Sequence, residues 1–184
     1  ALIYHAFEHT RSSAGVFWLP SCHDMGLVGG IVQPVYAGRV NVLLSPMAFL
    51  QKPARWLKAI GTYRATTSGG PNFAYDLCVR QVTDEQMTGV DLSSWRVAFN
   101  GAEPVRAETI DRFAEKFGRY GFRRHAFYPC YGMAEATLIV TGGYASHMPV
   151  VRSFDGRALT ENRAVPAATA APFVRRLVGC GQSL

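Results

Sequence analysis

Residues 95–118 have the sequence WRVAFNGAEPVRAETIDRFAEKFG. The stretch opens with an apolar run, which predicts a buried strand, and a turn containing Gly and Pro follows. The charged remainder, 105–118, places Ile110, Phe113 and Phe117 on one stripe with Glu and Arg opposite, as in an amphipathic helix. A strand, a turn and a helix in this order form the repeating unit of α/β proteins.

The same alternation continues along the chain on both sides of this unit. Pro46 and Pro53 each stand where a helical turn could begin. The pattern predicts an α/β fold with a mostly parallel sheet flanked by helices, in which ligands bind at the carboxyl ends of the strands. The predicted strands are 16–19, 40–44, 65–67 and a candidate at 148–154; the predicted helices are 25–37, 47–63 and 71–82; and 164–172 is predicted to be an extended surface segment.

Composition favours one globular unit. The chain has 184 residues, of which 48% are hydrophobic, and this is enough to bury a core. The formal net charge is +6, but the basic residues are scattered, apart from a cluster of Arg119, Arg123, Arg124 and His125. A basic cluster just after a predicted helix is typical of a solvated helix end. The sequence therefore predicts no nucleic-acid partner.

The cysteine pattern and the hydropathy indicate the cellular setting. Cys22, Cys78, Cys130 and Cys180 lie far apart and show neither the pairs of a zinc site nor the density of a disulfide scaffold. A reducing, cytoplasmic location is predicted from this spacing. No stretch has the length of a membrane span, and the N-terminus has no signal-peptide pattern.

The junction His23-Asp24-Met25-Gly26 follows the first predicted strand. His23 could face a ligand carboxylate at the head of a helix, where the helix dipole also favours an anion. Alternatively, Asp24 caps the helix and His23 is merely packed. The residues alone leave both interpretations open.

The junction Ser68-Gly69-Gly70-Pro71-Asn72 is predicted to end a strand and open a helix. Its backbone N–H groups could face a phosphate, or its small side chains could leave room for a chain-like substrate. It is not a Walker loop, because no Lys follows. The alternative is a tight turn that needs positive φ.

Two further junctions contain groups suited to a nucleotide. Asn100-Gly101-Ala102 could present bare backbone to a purine, although Glu103 before Pro104 could equally mark a turn. Tyr131 could stack on a base, and Glu135, four residues later, could hold Mg²⁺ that bridges phosphates. The alternative places Tyr131 in the core and makes Glu135 a charge in the first turn of a helix.

Four ordered motifs carry a family resemblance. They are Trp18-Leu19-Pro20 before His23-Asp24-Met25-Gly26-Leu27, Ser68-Gly69-Gly70-Pro71-Asn72-Phe73-Ala74-Tyr75, Asn100-Gly101-Ala102-Glu103-Pro104-Val105, and Tyr128-Pro129-Cys130-Tyr131-Gly132-Met133-Ala134-Glu135-Ala136-Thr137-Leu138. In order and spacing they resemble fatty acyl-AMP ligases of the adenylate-forming superfamily, over about residues 4–184. The resemblance implies that 1–184 is part of a single AMP-binding N-terminal domain.

The resemblance also implies a role for each motif. His23 would be catalytic, beside the fatty carboxylate and the α-phosphate, and Glu135 would be catalytic as the metal ligand that binds Mg²⁺. Ala134 stands where many superfamily members have Thr, so a hydroxyl contact to the phosphate is absent. The implied nucleotide-binding residues are Asn100, Gly101, Ala102, Glu103, Tyr131, Gly132, Met133 and Ala134, with Tyr131 stacked on adenine. The implied acyl-binding residues are Ser68, Gly69, Gly70, Pro71 and Asn72.

A branch-specific insertion is implied at about 144–173. In that branch the insertion is thought to restrict rotation of the C-terminal domain, so that the acyl-adenylate passes to a carrier protein instead of coenzyme A. The phosphate loop ending in Lys and the C-terminal domain with its catalytic Lys are absent from the sequence. The chain is therefore expected to be an internal fragment that is inactive alone.

The implied reaction is the ATP-dependent activation of a long-chain fatty acid to an acyl-adenylate, with ATP and Mg²⁺ as cofactors. The implied acceptor is an acyl carrier protein or a carrier domain of a polyketide or nonribosomal peptide synthase. Two alternatives are a fragment of a long-chain acyl-CoA ligase and a non-catalytic module that binds a nucleotide or an acyl chain. The acyl-AMP ligase assignment requires the loops carrying His23, Asn100-Gly101 and Tyr131 to Glu135 to converge around a single bound acyl-adenylate.

Overall fold

A five-stranded sheet forms the centre of the computed structural model, which describes residues 1–145 and 147–184. The strand order is β2-β1-β3-β4-β5, and each pairing is parallel. This confirms the predicted α/β fold with a mostly parallel sheet. The strands are β1 (Gly15–Phe17), β2 (Asn41–Leu43), β3 (Thr67–Gly70), β4 (Val97–Asn100) and β5 (Phe127–Pro129).

Helices connect the strands and cover the sheet. Ile110, Phe113 and Phe117 of α6 are fully buried, as their stripe predicts. None of the helices in the described part of the chain combines the length and apolarity that crossing a bilayer requires. The helices are α1 (Leu2–Ala6), α2 (Gln33–Ala37), α3 (Pro46–Gln51), α4 (Ala54–Thr62), α5 (Asn72–Gln81), α6 (Ala107–Gly118) and α7 (Gly156–Thr160).

The predicted helix at 47–63 is divided into α3 and α4. Lys52 interrupts it with φ −150° and ψ 84°, which is not helical. A residue before proline is disfavoured in the helical region, because the proline ring collides with its backbone. Pro53 then starts the next helix, where its missing N–H is not needed.

The predicted helix at 25–37 has an unusual first half. Met25–Val32 is π-helical and continues into α2, which ends where Gly38 adopts a left-handed φ of 61°. Gly26 permits close packing, because a Cβ there would lie 2.0 Å from the carbonyl oxygen of Pro20. Segments of π-helix are rare and occur frequently at functional sites.

The third strand lies further along the chain than the prediction of 65–67. Ser68, Gly69 and Gly70 are inside β3 and buried, and none has positive φ. The alternative of a tight turn with positive φ is therefore wrong. The junction does end a strand and open a helix, since β3 ends at Gly70 and α5 begins at Asn72. A Cβ on Gly69 would lie 2.2 Å from the carbonyl oxygen of Phe99, so glycine is needed for strand contact.

Two smaller β structures follow the main sheet. β6 (Tyr131–Gly132), β7 (Ile139–Gly142) and β10 (Gln182–Ser183) form an antiparallel sheet in the order β10-β7-β6. β8 (Val151–Asp155) pairs with β9 (Val174–Val178) in an antiparallel hairpin. The candidate strand at 148–154 is therefore present, but it begins at residue 151, three residues later than predicted. Residues 164–172 form only an isolated bridge and are largely exposed, as expected for a surface segment.

The two faces of the main sheet differ in packing. On one, here called the packed face, α4, α5 and α6 contribute to a core rich in aromatic side chains. On the other, here called the cavity face, a smaller apolar cluster lies beside α1 and the π-helical segment. Successive residues of β4 alternate between them, since Ala98 belongs to the packed core while Val97 and Phe99 belong to the smaller cluster.

Candidate active site

A cavity of about 220 Å³ lies on the cavity face and reaches the carboxyl edge of the sheet. Loops that follow β1, β4 and β5 meet there, because the carboxyl ends of parallel strands share one edge. The predicted residues that line it are His23, Gly101, Ala102, Tyr131, Gly132, Met133 and Ala134. The structure therefore brings three of the four predicted junctions to one cleft.

His23 lies in the exposed loop just before the π-helical segment. Its Nδ1 accepts a hydrogen bond from the backbone N–H of Met25 at 3.2 Å, so a neutral ring carries its proton on Nε2. Asp24 has helical φ and ψ and makes no capping hydrogen bond, so the alternative in which Asp24 caps the helix is wrong. The local cap is instead the imidazole, and its Nε2–H makes no hydrogen bond within the described residues.

Gly101 and Ala102 form the turn after β4. Gly101 has no room for a side chain, because a Cβ would lie 2.8 Å from the carbonyl oxygen of Cys130. Ala102 has φ 66°, a left-handed conformation that non-glycine residues seldom adopt and that often occurs at functional sites. The turn therefore presents nearly bare backbone to the cavity.

Asn100 and Glu103 do not line the cavity. Asn100 is fully buried, and neither of its amide atoms has a hydrogen-bond partner in the described part of the chain. Glu103 accepts a hydrogen bond from the backbone N–H of Phe73 at 2.6 Å, in the first turn of α5. A carboxylate there stabilises the helix N-terminus. The nucleotide-binding roles of these two residues stay predictions.

The loop after β5 carries Tyr131 to the mouth of the cavity. Tyr131 is 51% exposed, so the alternative in which it belongs to the core is wrong. Gly132 packs against β7, since a Cβ there would lie 2.0 Å from the carbonyl oxygen of Leu138. Glu135 lies in the 3₁₀ turn Ala134–Ala136, is exposed, and has no ion-pair partner among the described residues. Glu135 does not line the cavity, and its metal-binding role stays a prediction.

The predicted acyl-binding residues at 68–72 do not line the cavity. Ser68 is on the packed face, where its hydroxyl donates to the carbonyl of Val16 and accepts from Trp56 Nε1 at 2.7 Å. Asn72 links α5 to α6, because its amide donates to Thr109 at 3.0 Å and accepts from the N–H of Arg106 at 3.0 Å. Both side chains are engaged within the protein.

Side chains from other parts of the chain line the interior of the cavity. Most are apolar: Ile3, Phe7, Phe17, Met25, Phe99, Leu138 and Ile139. The exceptions at its inner end are Thr67, His9, Gln33 and Arg39, here called the polar chain. Sequence reasoning missed them, because His9 and Thr67 are 58 residues apart and no spacing pattern connects them.

Two buried groups near the cavity are held neutral. Burial, together with the charges of Arg39 and Arg96, lowers the pKa of His9 to about 3. Burial and the neighbouring Cys180 raise the pKa of the Cys130 thiol to about 12. Since thiolates are the nucleophilic form, Cys130 is a packing residue and no candidate for covalent catalysis.

Known proteins are similar to this chain along almost its whole length. The family model described as AMP-binding enzyme matches residues 2–167. The medium-chain-fatty-acid–[acyl-carrier-protein] ligase TtuA of Teredinibacter turnerae is 47% identical over 183 residues, which cover 100% of this chain and 28% of that protein. The ligase of the same description from Moorena producens, JamA, is 47% identical over 181 residues, which cover 97% of this chain and 31% of that protein.

A solved structure extends the similarity to the fold. The fatty acyl-adenylate ligase of L. pneumophila, in complex with acyl adenylate and pyrophosphate, superposes with a TM-score of 0.94 at 46% identity. The match covers 98% of this chain and 32% of that one, so the chain spans about a third of the solved protein. Its five-stranded sheet matches part of the N-terminal domain of adenylate-forming ligases. The chain belongs to the AMP-binding enzyme family.

Proposed function

We propose that this chain is part of the N-terminal domain of a fatty acyl-AMP ligase that activates a fatty acid as its adenylate in the cytoplasm. The observation that carries the proposal is the single cavity at which the loops of His23, Gly101 and Tyr131 meet. Its mouth is formed by backbone and an exposed aromatic ring, and its interior is mostly apolar apart from the polar chain. Relatives named as fatty-acid ligases support the same assignment.

The two ends of the cavity suit the two halves of an acyl-adenylate. Near the mouth, the phenol ring of Tyr131 is available to stack on adenine, and the turn at Gly101 and Ala102 leaves space for the edge of the base. Inside, Phe7, Phe17 and Phe99 would surround the acyl chain, whose burial contributes about 0.8 kcal/mol per methylene. The reaction is attack of the carboxylate on the α-phosphorus of ATP, with pyrophosphate as the leaving group.

His23 would stabilise charge on the reacting oxygens. The backbone N–H of Met25 occupies Nδ1, so the Nε2–H is the available donor. A donor held by such a contact needs no reorganisation when charge develops on the carboxylate or phosphate oxygens, which is how preorganised donors lower a barrier. No covalent intermediate with the protein is required.

Glu135 would hold Mg²⁺. Its carboxylate is exposed and unpaired in the described part of the chain, and no group of three or more metal-ligating side chains occurs there. A single carboxylate fits Mg²⁺, which proteins usually bind through one or two carboxylates, with phosphates and water as the other ligands. When bound, the ion would neutralise charge on the phosphates.

The acceptor of the acyl group would be an acyl carrier protein or a carrier domain of a polyketide or nonribosomal peptide synthase. We assign the implied insertion to about 144–173, of which 144–145 and 147–173 are described. Its β8 pairs with β9, and Arg176 of β9 is paired with Asp111 of α6 at 2.9 Å. A segment fastened to the domain in this way is suited to limiting the motion of a neighbouring domain.

Pyrophosphate release tests the function, with the protein expressed together with the coding sequence that flanks it. Glu135→Gln removes the charge that would hold Mg²⁺, and it should lower the Mg-ATP-dependent rate by about 100-fold, as expected when an electrostatic contact to the transition state is lost. Glu115→Gln, at an exposed position of α6, is the matched control and should leave the rate unchanged. Equal rates for the two variants would remove the metal role.

The acceptor is tested in the same preparation. Acyl transfer is measured with coenzyme A and with a holo-carrier protein as alternative acceptors. Transfer to the carrier alone supports the acyl-AMP ligase, whereas efficient acyl-CoA formation assigns the chain to an acyl-CoA ligase. Absence of pyrophosphate release with every fatty acid would leave only a binding module.

A further inference from the structure

The inner end of the cavity is closed by the polar chain. Arg39 donates to Gln33 Oε1 from Nη2 at 2.7 Å and from Nε at 3.2 Å. The amide nitrogen of Gln33 lies 2.7 Å from Nδ1 of His9, and Nε2 of His9 lies 2.8 Å from Oγ1 of Thr67. The four side chains are between 1% and 8% exposed, and all of them line the cavity. They form one continuous series of hydrogen bonds at the protein interior.

The direction of every hydrogen bond in the polar chain is fixed by Arg39. A guanidinium has donors and no acceptor, so Gln33 must present its oxygen to Arg39 and its NH₂ group to His9. Nδ1 of His9 is then the acceptor, and the neutral ring carries its proton on Nε2. This N–H donates to Oγ1 of Thr67.

The hydroxyl hydrogen of Thr67 is therefore not used in the hydrogen bond with His9. Oγ1 already accepts from His9, and no acceptor for its own hydrogen occurs among the described residues. Thr67 lines the cavity and is 1% exposed, so the missing acceptor can come from whatever fills the cavity. A buried donor that stays unpaired destabilises a complex. Nη1 of Arg39 is also buried without a partner among the described residues, but it lies against Gly15. The polar chain thus offers the hydroxyl hydrogen of Thr67 to the inner end of a mostly apolar cavity.

The distance from the mouth to this donor sets the length of the ligand. Thr67 pairs with Val97, four residues before Gly101 at the mouth. A strand advances about 3.3 Å per residue, so the two ends are roughly 13 Å apart. Each bond of an extended alkyl chain advances about 1.25 Å, given a bond of about 1.5 Å and near-tetrahedral angles. Because the adenylate end of the ligand also lies at the mouth, an acyl chain of at most about ten carbons fits between the mouth and the inner end.

We propose that the cavity selects acids of medium length that carry a keto or hydroxyl oxygen at the far end, and that Thr67 donates the hydrogen bond that recognises this oxygen. The proposal rests on the proposed function and defines its substrate class. It differs from the long-chain acid that the family resemblance implies. A chain much longer than ten carbons would have to pass through Thr67 and His9, and a plain alkyl end would leave the hydroxyl hydrogen unpaired.

The test compares two acids of equal length, decanoic acid and 9-oxodecanoic acid, in the pyrophosphate-release assay. The protein is again expressed with the coding sequence that flanks it. The wild type should prefer the oxo acid by about tenfold in kcat/KM, the value of one neutral hydrogen bond. Thr67→Val has nearly the same shape without the hydroxyl, and it should abolish the preference, so that the ratio of kcat/KM for the two acids falls to about one. Thr67→Ser should keep the preference.

Thr66→Val is the matched control, since it makes the same chemical change next to Thr67 at a residue that does not line the cavity. It should retain the tenfold preference. Equal kcat/KM values for the two acids in the wild type overturn the proposal. This comparison uses the wild type alone, so it can be made even if Thr67→Val does not fold. If none of the fatty acids tested supports pyrophosphate release, the proposed function has failed. If pyrophosphate is released equally with both acids, only the selection by Thr67 has failed.

Discussion

The packed face and the cavity face are built from the same strands but differ in what they contain. On the packed face, Phe113 lies among Tyr75, Trp95 and Phe127 with ring centroids 5.1 to 6.1 Å apart. On the cavity face, Phe99 stacks on Phe17 at 5.5 Å beside a cavity of about 220 Å³. Since side chains alternate along a strand, one short strand can serve both faces. The difference indicates that stability comes mainly from one face and ligand binding from the other.

The largest predicted effect is the contrast between Phe113→Ala and Phe99→Ala. Removing Phe113 from a fully buried site should lower the free energy of unfolding by about 3–5 kcal/mol. Removing Phe99 should cost at least about 1 kcal/mol less, because part of its surroundings is already empty and fewer dispersion contacts are lost. Urea unfolding monitored by circular dichroism measures both. Equal losses, with unchanged denaturant slopes, would contradict the division between the faces.

The next effect is the loss of folding stability at low pH that His9 of the polar chain causes. The folded state keeps His9 neutral down to a pKa of about 3, whereas an unfolded histidine takes up its proton below about pH 6.5. Between these values the unfolded state binds more protons, so stability falls as the pH falls, by up to about 1.4 kcal/mol per pH unit. His9→Gln removes the titrating group and should flatten this part of the profile.

The measurement for His9 is urea unfolding of the wild type and His9→Gln between pH 7 and pH 4.5. Other groups also contribute to acid sensitivity, so the informative quantity is the difference between the two slopes. Parallel profiles would show that His9 titrates alike in both states. The cavity face would then lack the buried neutral imidazole on which the direction of its hydrogen bonds depends.

The packed face was largely predictable from sequence, whereas the interior of the cavity was not. The stripe of Ile110, Phe113 and Phe117 predicts α6 and its burial, because helical spacing alone decides which side faces the core. Ser68 to Gly70 misled the prediction, since glycines usually mark turns. Here the cause is tertiary, because the approach of Phe99 excludes a Cβ from Gly69.

The mouth of the site was predictable because its residues lie next to strand ends. His23, Gly101 and Tyr131 each follow a strand, and parallel topology then brings them together. Thr67 and His9 meet only through the fold, since His9 precedes the first strand and Thr67 begins the third. The sequence therefore predicted where a ligand enters and missed what meets its far end.

The smallest predicted effect is at Asn100, the last residue of β4. Asn72 and Asn100 are the same residue type, both buried, but Asn72 has partners at both amide atoms and Asn100 has none among the described residues. Asn72→Ala should lower the free energy of unfolding by about 1–3 kcal/mol, because it leaves the N–H of Arg106 without its acceptor.

Asn100→Ala should change stability by less than about 0.5 kcal/mol, since relief of an unpaired buried amide offsets the lost packing. Urea unfolding of the two variants measures the contrast, and binding of ATP to the same proteins measures the function. If Asn100 is retained for a nucleotide, as the family resemblance implies, Asn100→Ala should weaken ATP binding while the fold is unaffected. A loss of stability equal to that of Asn72→Ala would mean that Asn100 has partners in the folded chain, and its amide would then belong to the core and not to a ligand.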